Sequence, residues 1–257
     1  MGTRSRTRSR ERRLALAAAE RRRRVRRRLL AVGGVVILGL VVAIVVSVVK
    51  AADDAGDDPG ATTTSAGPVV VPSSGTAAGA IVTGQANAPV TVAVYLDYLC
   101  PYCGRFEKAN AAELDRLIAA GTVRLELHPL SFLDRLSAGT RYSTRSANAV
   151  ATVADAAPDR VLAVNRALYD RQPAEGGPGL TDDEIAAVAA GVGVPSPVTD
   201  RFRLRTFEPW VVAATSAAVD DGVSGTPTVR INGKAFTGDL YTAGALTRAV
   251  EAAAGRP

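Results

Sequence analysis

Cysteine and histidine are nearly absent from this chain. Its 257 residues hold two cysteines, Cys100 and Cys103, one histidine, His128, one methionine, one tryptophan and 5% aromatic residues. A scaffold braced by many disulfides is excluded. A single bridge between Cys100 and Cys103 closes too small a loop to stabilise much. A structural zinc takes four ligands, drawn mainly from Cys and His. Such a site would here need a carboxylate or a second chain to complete it. The chain also lacks a glycine-rich phosphate loop, a His-x-x-x-His pair, a Gly-x-Ser-x-Gly elbow and any visible internal repeat.

Acidic residues are scarce at the start. Residues 1–28 carry 13 arginines against Glu11 and Glu20, and residues 29–49 are apolar or small without interruption. About 20 such residues span a bilayer core. Arginine before the run and the acids Asp53, Asp54, Asp57 and Asp58 after it orient the N-terminus to the cytoplasm. Residues 29–49 are therefore expected to be a transmembrane helix that anchors the protein. A cleaved signal peptide is the alternative, with Val49-Lys50-Ala51 as a peptidase site, but the apolar run is longer than the usual signal core. The formal charge of +6 misleads, because residues 29–257 hold 18 basic and 23 acidic residues. That part is mildly acidic, and no nucleic-acid partner is expected. Residues 50–79, rich in Ala, Thr, Ser, Gly, Pro and Asp, read as a flexible linker. Residues 80–257 are long enough for one domain with a real core.

Within that domain, residues 90–96 form an apolar strand that runs into Cys100-Pro101-Tyr102-Cys103, and a helix is expected from Cys100 or Pro101 to about 120. A thiol at a helix N-terminus meets unpaired backbone N–H groups and the positive end of the helix dipole, which lower its pKa. Pro101 suits the first turn, where its missing N–H has no partner to lose. A Cys-x-x-Cys in this strand-to-helix setting points to redox chemistry. Helix geometry puts Cys100 at an exposed tip and Cys103 one turn in. Strands are also expected at 80–83, 123–130, 227–231 and 234–236, with Asn232-Gly233 as a type I′ turn between the last two. Residues 137–221 read as helical, with a capping box opening at Thr181, and a final helix is expected over 240–254. His128, on the polar parity of its strand, is expected at the surface or the strand end, and Trp210 in the core.

Leu96-Asp97-Tyr98-Leu99-Cys100-Pro101-Tyr102-Cys103 after an apolar strand resembles the DsbA-like branch of the thioredoxin superfamily. The four residues Cys100 to Cys103 alone also resemble the glutaredoxin site. The resemblance implies an α/β, thioredoxin-like fold with a helical insertion at about 137–221, and the periodicity leads independently to the same architecture. It implies that Cys100 and Cys103 are catalytic, forming a redox-active disulfide with no other cofactor and no metal. In Ser224-Gly225-Thr226-Pro227-Thr228 it implies a cis-proline at Pro227, with the backbone of Thr226 free to pair with a substrate peptide. The pattern fails in places. Many relatives carry a buried acid six residues before the first cysteine, where this chain has Val94. Asp97 matches an acid of some relatives; at the strand end it is expected to be a solvated or capping residue, with a role in proton transfer as the alternative. Tyr102 replaces the histidine of the strongest oxidases, which implies a milder oxidant. Thr226, where those oxidases have valine, resembles relatives that reduce or isomerise disulfides. The expected function is that of a thiol–disulfide oxidoreductase outside the cytoplasm, acting on exported proteins that contain cysteines and reset by a membrane redox partner. A disulfide-forming oxidase is favoured over a reductase or isomerase, and over a non-catalytic peptide-binding adaptor.

Overall fold

The structure, a computed structural model, describes residues 69–255. The basic segment 1–28, the apolar run 29–49 and linker residues 50–68 lie outside them. No helix among the described residues is long and apolar enough to cross a membrane.

The sheet has five strands in the order β1 (Ile81–Thr83), β3 (Val123–Pro129), β2 (Val90–Leu96), β4 (Thr228–Ile231) and β5 (Lys234–Ala235). Only β2 and β3 run parallel; every other neighbouring pair is antiparallel. β2 is the centre. Six of its seven residues are buried, as its unbroken apolar text requires of a strand covered on both faces. Asn232 and Gly233 turn β4 into β5 with φ of 48° and 77°, both positive, as the type I′ turn demands.

Helix α1 (Pro101–Ala119) follows β2 directly, burying Cys103, Phe106, Glu107, Asn110, Leu114 and Leu117. Asn110 is the polar exception on that face, and its burial is offset locally: its Nδ2 donates to Phe106 O at 2.9 Å and Leu240 O at 2.8 Å. The helical insertion comprises α2 (Tyr142–Ala156), α3 (Val161–Asp170), α4 (Asp182–Gly191), the single turn α5 (Ser196–Thr199) and α6 (Glu208–Asp220). Its hub is α2, a helix largely of small residues with thirteen of its fifteen positions buried. Its buried Asn148 is paired on both sides, donating to Phe202 O at 2.9 Å and accepting from Phe207 N at 3.0 Å. Thr181 and Glu184 form the expected capping box at the start of α4. The last helix, α7 (Ala245–Ala253), packs on α1 and β2, while α6 packs on β3. Trp210 is buried in the core as expected, its Nε1 donating to Thr76 O at 2.9 Å.

Three expectations need correction. Part of the stretch taken as linker is bound to the domain: Ser73 Oγ donates to Asp155 O at 2.6 Å, Ser74 Oγ to Ala154 O at 2.7 Å, and Gly75 bridges to Ile81. α7 begins at Ala245 rather than 240, because Leu240 and Tyr241 are held in a loop by Asn110 and Asp239. His128 does lie near the strand end, but it is buried and stacked on Tyr95 with ring centroids 4.2 Å apart. Its stacking partner Tyr95 belongs to a small buried cluster with Ala93, Leu130, Ala218 of α6 and Val223. Burial holds the His128 pKa down to about 4, aided by Arg230, so the ring is neutral at physiological pH.

Candidate functional site

The strand-to-helix junction is set by its backbone. Cys100 is the N-cap of α1, extended at φ −72° and ψ 115°, with Pro101 following inside the first turn. Its N–H donates to Asp97 O at 3.0 Å, and its own carbonyl accepts from Cys103 N at 3.0 Å and Gly104 N at 3.3 Å. Gln172, just past α3, ties the insertion to this turn by donating from Nε2 to Tyr98 O at 3.0 Å and Cys100 O at 2.9 Å. A side chain at 104 would make that amide shift, since a Cβ there would lie 2.5 Å from Gln172 Oε1. No acidic residue occupies the first turn of α1, so the free N–H groups and the dipole face the thiol unopposed.

Across from the helix tip, the Thr226–Pro227 peptide bond is cis, as the resemblance implied. Thr226 O accepts from the Cys100 thiol at 3.3 Å, and Thr228 Oγ1 holds the loop by donating to Gly225 O at 2.7 Å. Cys100 and Thr226 open onto a groove of about 640 Å³ walled by Phe132, Leu133, Val219 and Val223. Cys103 does not line it. Cys100 is nevertheless not the exposed tip expected: it is 5% exposed, against 1% for Cys103. That remaining exposure lies beside the groove that Cys100 lines. Pro101 and Tyr102 are the exposed residues of the four, and Arg105 lies over the rings of Tyr102 and Tyr241.

The two thiols have opposite electrostatics. The Cys100 pKa falls to about 6, chiefly because the Cys103 thiol donates to its sulfur; burial opposes this, while the Thr226 side chain and the N–H groups of Cys103 and Tyr102 assist it. Burial pushes Cys103 well above the ordinary thiol value, and its bond to Cys100 adds to the rise. The pair thus offers one thiolate near neutral pH and one thiol that keeps its proton. Both cysteines are unbridged.

Asp97, Pro101, Tyr102, Thr226 and Pro227 all gather around the two cysteines, whereas His128 pairs with Tyr95 on the other face of the sheet. Asp97 is fully buried rather than solvated, and burial raises its pKa to about 6 against the bonds from Ser143, Leu99 and Leu133. A second buried acid is Glu107, one turn beyond Cys103 on the same stripe of α1. Burial lifts it to about 7, with Arg166 and Asn165 pulling it down. Tyr98 and Tyr169 complete the floor, with ring centroids 5.2 Å apart; Tyr98 donates to Asn165 Oδ1 at 3.0 Å and Tyr169 to Asp97 O at 3.2 Å. Glu107, Tyr169 and Gln172 were not singled out in the sequence. Only the i, i+4 relation of Glu107 to Cys103 could have flagged one of them. Among the described residues no cluster of His, Cys, Asp and Glu could hold a metal ion.

The chain is similar to known proteins over this same region. A family model described as "Thioredoxin" matches residues 76–252. Oxidised DsbA of Mycobacterium tuberculosis is 28% identical, with 68% of this chain and 93% of that one covered at a TM-score of 0.60. DsbG, a disulfide bond oxidoreductase of the same organism in its reduced form, is also 28% identical, with 68% and 88% covered at 0.61. BdbD of Bacillus subtilis, at 22% identity and a TM-score of 0.60, with 72% and 96% covered, shares the fold. Among curated proteins, the serine/threonine-protein kinase PknE of Mycobacterium tuberculosis is 31% identical over 157 residues, 58% of this chain, and the chain spans only 28% of that kinase's length. With the thioredoxin match, the DsbA-like architecture and the paired thiols at the head of α1 all in place, the chain belongs to the thioredoxin family, in its DsbA-like branch, and is a thiol–disulfide oxidoreductase.

Proposed function

We propose that this enzyme is a disulfide-forming oxidase for exported proteins, held by residues 29–49 in the cell membrane with its catalytic domain outside the cytoplasm, where disulfides persist. The observation that carries the oxidase direction is the pair of thiols: Cys100 lowered to about 6 beside Cys103 held above its ordinary value. A stabilised Cys100 thiolate favours the reduced enzyme, which makes the disulfide the oxidising partner.

The working form carries a Cys100–Cys103 disulfide and needs no other cofactor. A client thiolate enters the groove and attacks Cys100 Sγ, the sulfur that lines it. The Cys100–Cys103 bond breaks, and Cys103 leaves with the electron pair and takes up a proton, as its raised pKa favours. A second client thiol loses its proton and attacks the client sulfur of the mixed disulfide. The client disulfide forms and Cys100 departs as a thiolate. Two electrons have passed to the enzyme, and a membrane redox partner removes them. Thr226, ahead of β4, offers its backbone to the client chain as an added strand, with Pro227 shaping that loop and Pro101 and Tyr102 framing the helix tip.

The test is covalent capture. Cys103→Ser leaves Cys100 to form mixed disulfides that no internal thiol can resolve, so clients accumulate on the enzyme in oxidising cells, and Cys100→Ser abolishes the adducts. The purified wild type should oxidise a dithiol peptide faster than it reduces insulin. Faster insulin reduction would move the enzyme to the reductase or isomerase direction. No capture by Cys103→Ser, with peptide binding retained in the groove, would replace the enzyme with an adaptor.

A further inference from the structure

Asp97 is a fully buried carboxylate that the sulfur chemistry above does not use. Its Oδ1 accepts from Leu99 N at 2.8 Å and from Ser143 Oγ at 2.7 Å, and its Oδ2 accepts from Leu133 N at 2.9 Å. The three donors come from three pieces of chain: the loop into Cys100, the first turn of α2, and the segment after β3. Leu133 is also a wall of the groove, beside Phe132. A single side chain thus joins the turn that carries Cys100 to the surface against which a client must lie.

We infer that Asp97 is a positioning residue whose carboxylate clamps the Leu133 wall of the groove to the Cys100 turn, and that taking up a proton releases the wall and weakens client binding. The chemistry of the two oxygens supports this. A carboxylate only accepts, and all three partners donate to it. Oδ1 serves two donors and Oδ2 one, so a proton costs least on Oδ2. There the new O–H competes with the Leu133 N–H for the oxygen's remaining acceptor capacity, and that bond gives way while those of Leu99 and Ser143 remain. An unpaired N–H then favours moving the segment toward water.

The titratable groups around Asp97 are Cys100 and Cys103 of α1, Tyr98 of the loop, Tyr142 of α2 and Tyr169 of α3. Burial pushes Cys103 and the three tyrosines upward, so only Cys100 is charged near neutral pH. Asp134, next to Leu133, is turned away to the backbone and hydroxyl of Thr144 at 3.0 and 2.5 Å. Oxidising the cysteines removes the Cys100 charge and leaves Asp97 alone to titrate in this cluster. With unbridged cysteines, burial raises Asp97 to about 6 and the Cys100 charge adds to the rise. With that charge gone, burial still holds it above the ordinary carboxylate value, which brings the release into mildly acidic conditions.

The experiment uses the oxidised full-length protein in detergent, with ¹⁵N-labelled leucine. Between pH 7 and pH 5 the Leu133 amide should shift with one midpoint, and its exchange, corrected for the intrinsic rate, should rise at least about tenfold; Leu99 should stay put. In Asp97→Asn, Oδ1 still accepts from Leu99 and Ser143 while the amide nitrogen faces Leu133, so Leu133 should be released at every pH. Ser143→Ala removes a donor that favours the carboxylate and should move the midpoint upward, a test that holds even if Asp97→Asn fails to fold. A peptide with serine in place of its cysteines should bind at least about threefold more weakly at pH 5 than at pH 7 in the wild type. In Asp97→Asn its binding should be weak and independent of pH. A titrating Leu99 with a static Leu133, or a Ser143→Ala midpoint that does not rise, overturns the clamp. The consequence for clients rests on the groove being their site. A Leu133 response without any change in peptide affinity overturns that consequence, and leaves covalent capture by Cys103→Ser as the separate measure of the thiol chemistry.

Discussion

Truncating Cys103 to alanine tests the cause assigned to the Cys100 thiolate. The Cys103 thiol is the largest single reason that Cys100 falls from 9.0 to about 6. A hydrogen bond to a charged group contributes about 1.5–3 kcal/mol, and about 1.4 kcal/mol corresponds to one pKa unit. Cys103→Ala should therefore raise Cys100 by about one to two units, to roughly 7–8. Cys103→Ser keeps an O–H donor in place and should lie much closer to the wild type. The assay is the pH dependence of iodoacetamide alkylation of the reduced protein, which follows the thiolate at Cys100 because Cys103 is buried and protonated. The reduced fold carries the same signature. A folded pKa below the unfolded one means that stability from Cys100 is absent below about pH 6, grows between 6 and 9, and is complete above 9. Three units bound that gain at about 4 kcal/mol. Cys103, raised instead, works the other way above its unfolded value. A wild-type midpoint near 9, or a Cys103→Ala midpoint equal to the wild type's, refutes the reasoning.

Three further outcomes are expected. Asn148→Ala should cost about 2–4 kcal/mol in urea unfolding, because it strands Phe202 O and Phe207 N in the core, while the alkylation rate of Cys100 in the folded protein stays unchanged. Equilibration of the Cys100–Cys103 couple with glutathione should place it between roughly −120 and −230 mV, and a value near the −270 mV of thioredoxin would favour the reductase direction. The full-length protein should remain with membranes through an alkaline carbonate wash, whereas a soluble form beginning near Ala52 would mark residues 29–49 as a cleaved signal.

The features legible in the sequence are local. The strand of residues 90–96, the cysteines at the head of the next helix, the Asn232-Gly233 turn and the Thr181 capping box each follow from neighbours a few residues apart, and each stands where the text put it. The errors concern the groups that cover a residue. His128 alternates like a surface residue, but it stacks on Tyr95, which joins Ala218 and Val223 in a buried cluster that no pattern within β3 can announce. Cys100 should stand free at a helix tip, yet the Thr226 loop, arriving 126 residues later, closes over it. The same holds for the surroundings of the thiols. Asp97 meets Ser143 and Leu133 at separations of 46 and 36 residues, while Tyr169 and Gln172 reach back 72 residues to Asp97 and Cys100. Ser143, Tyr169 and Gln172 all come from the helical insertion. A Cys-x-x-Cys at a strand-to-helix junction specifies a thiol that can be activated. How far it is activated, and how it is reached, depends here on helices and a loop that fold in from elsewhere. The insertion is therefore part of the active site, and changes on its buried face at Ser143, Tyr169 or Gln172 act on the thiols without touching either sulfur.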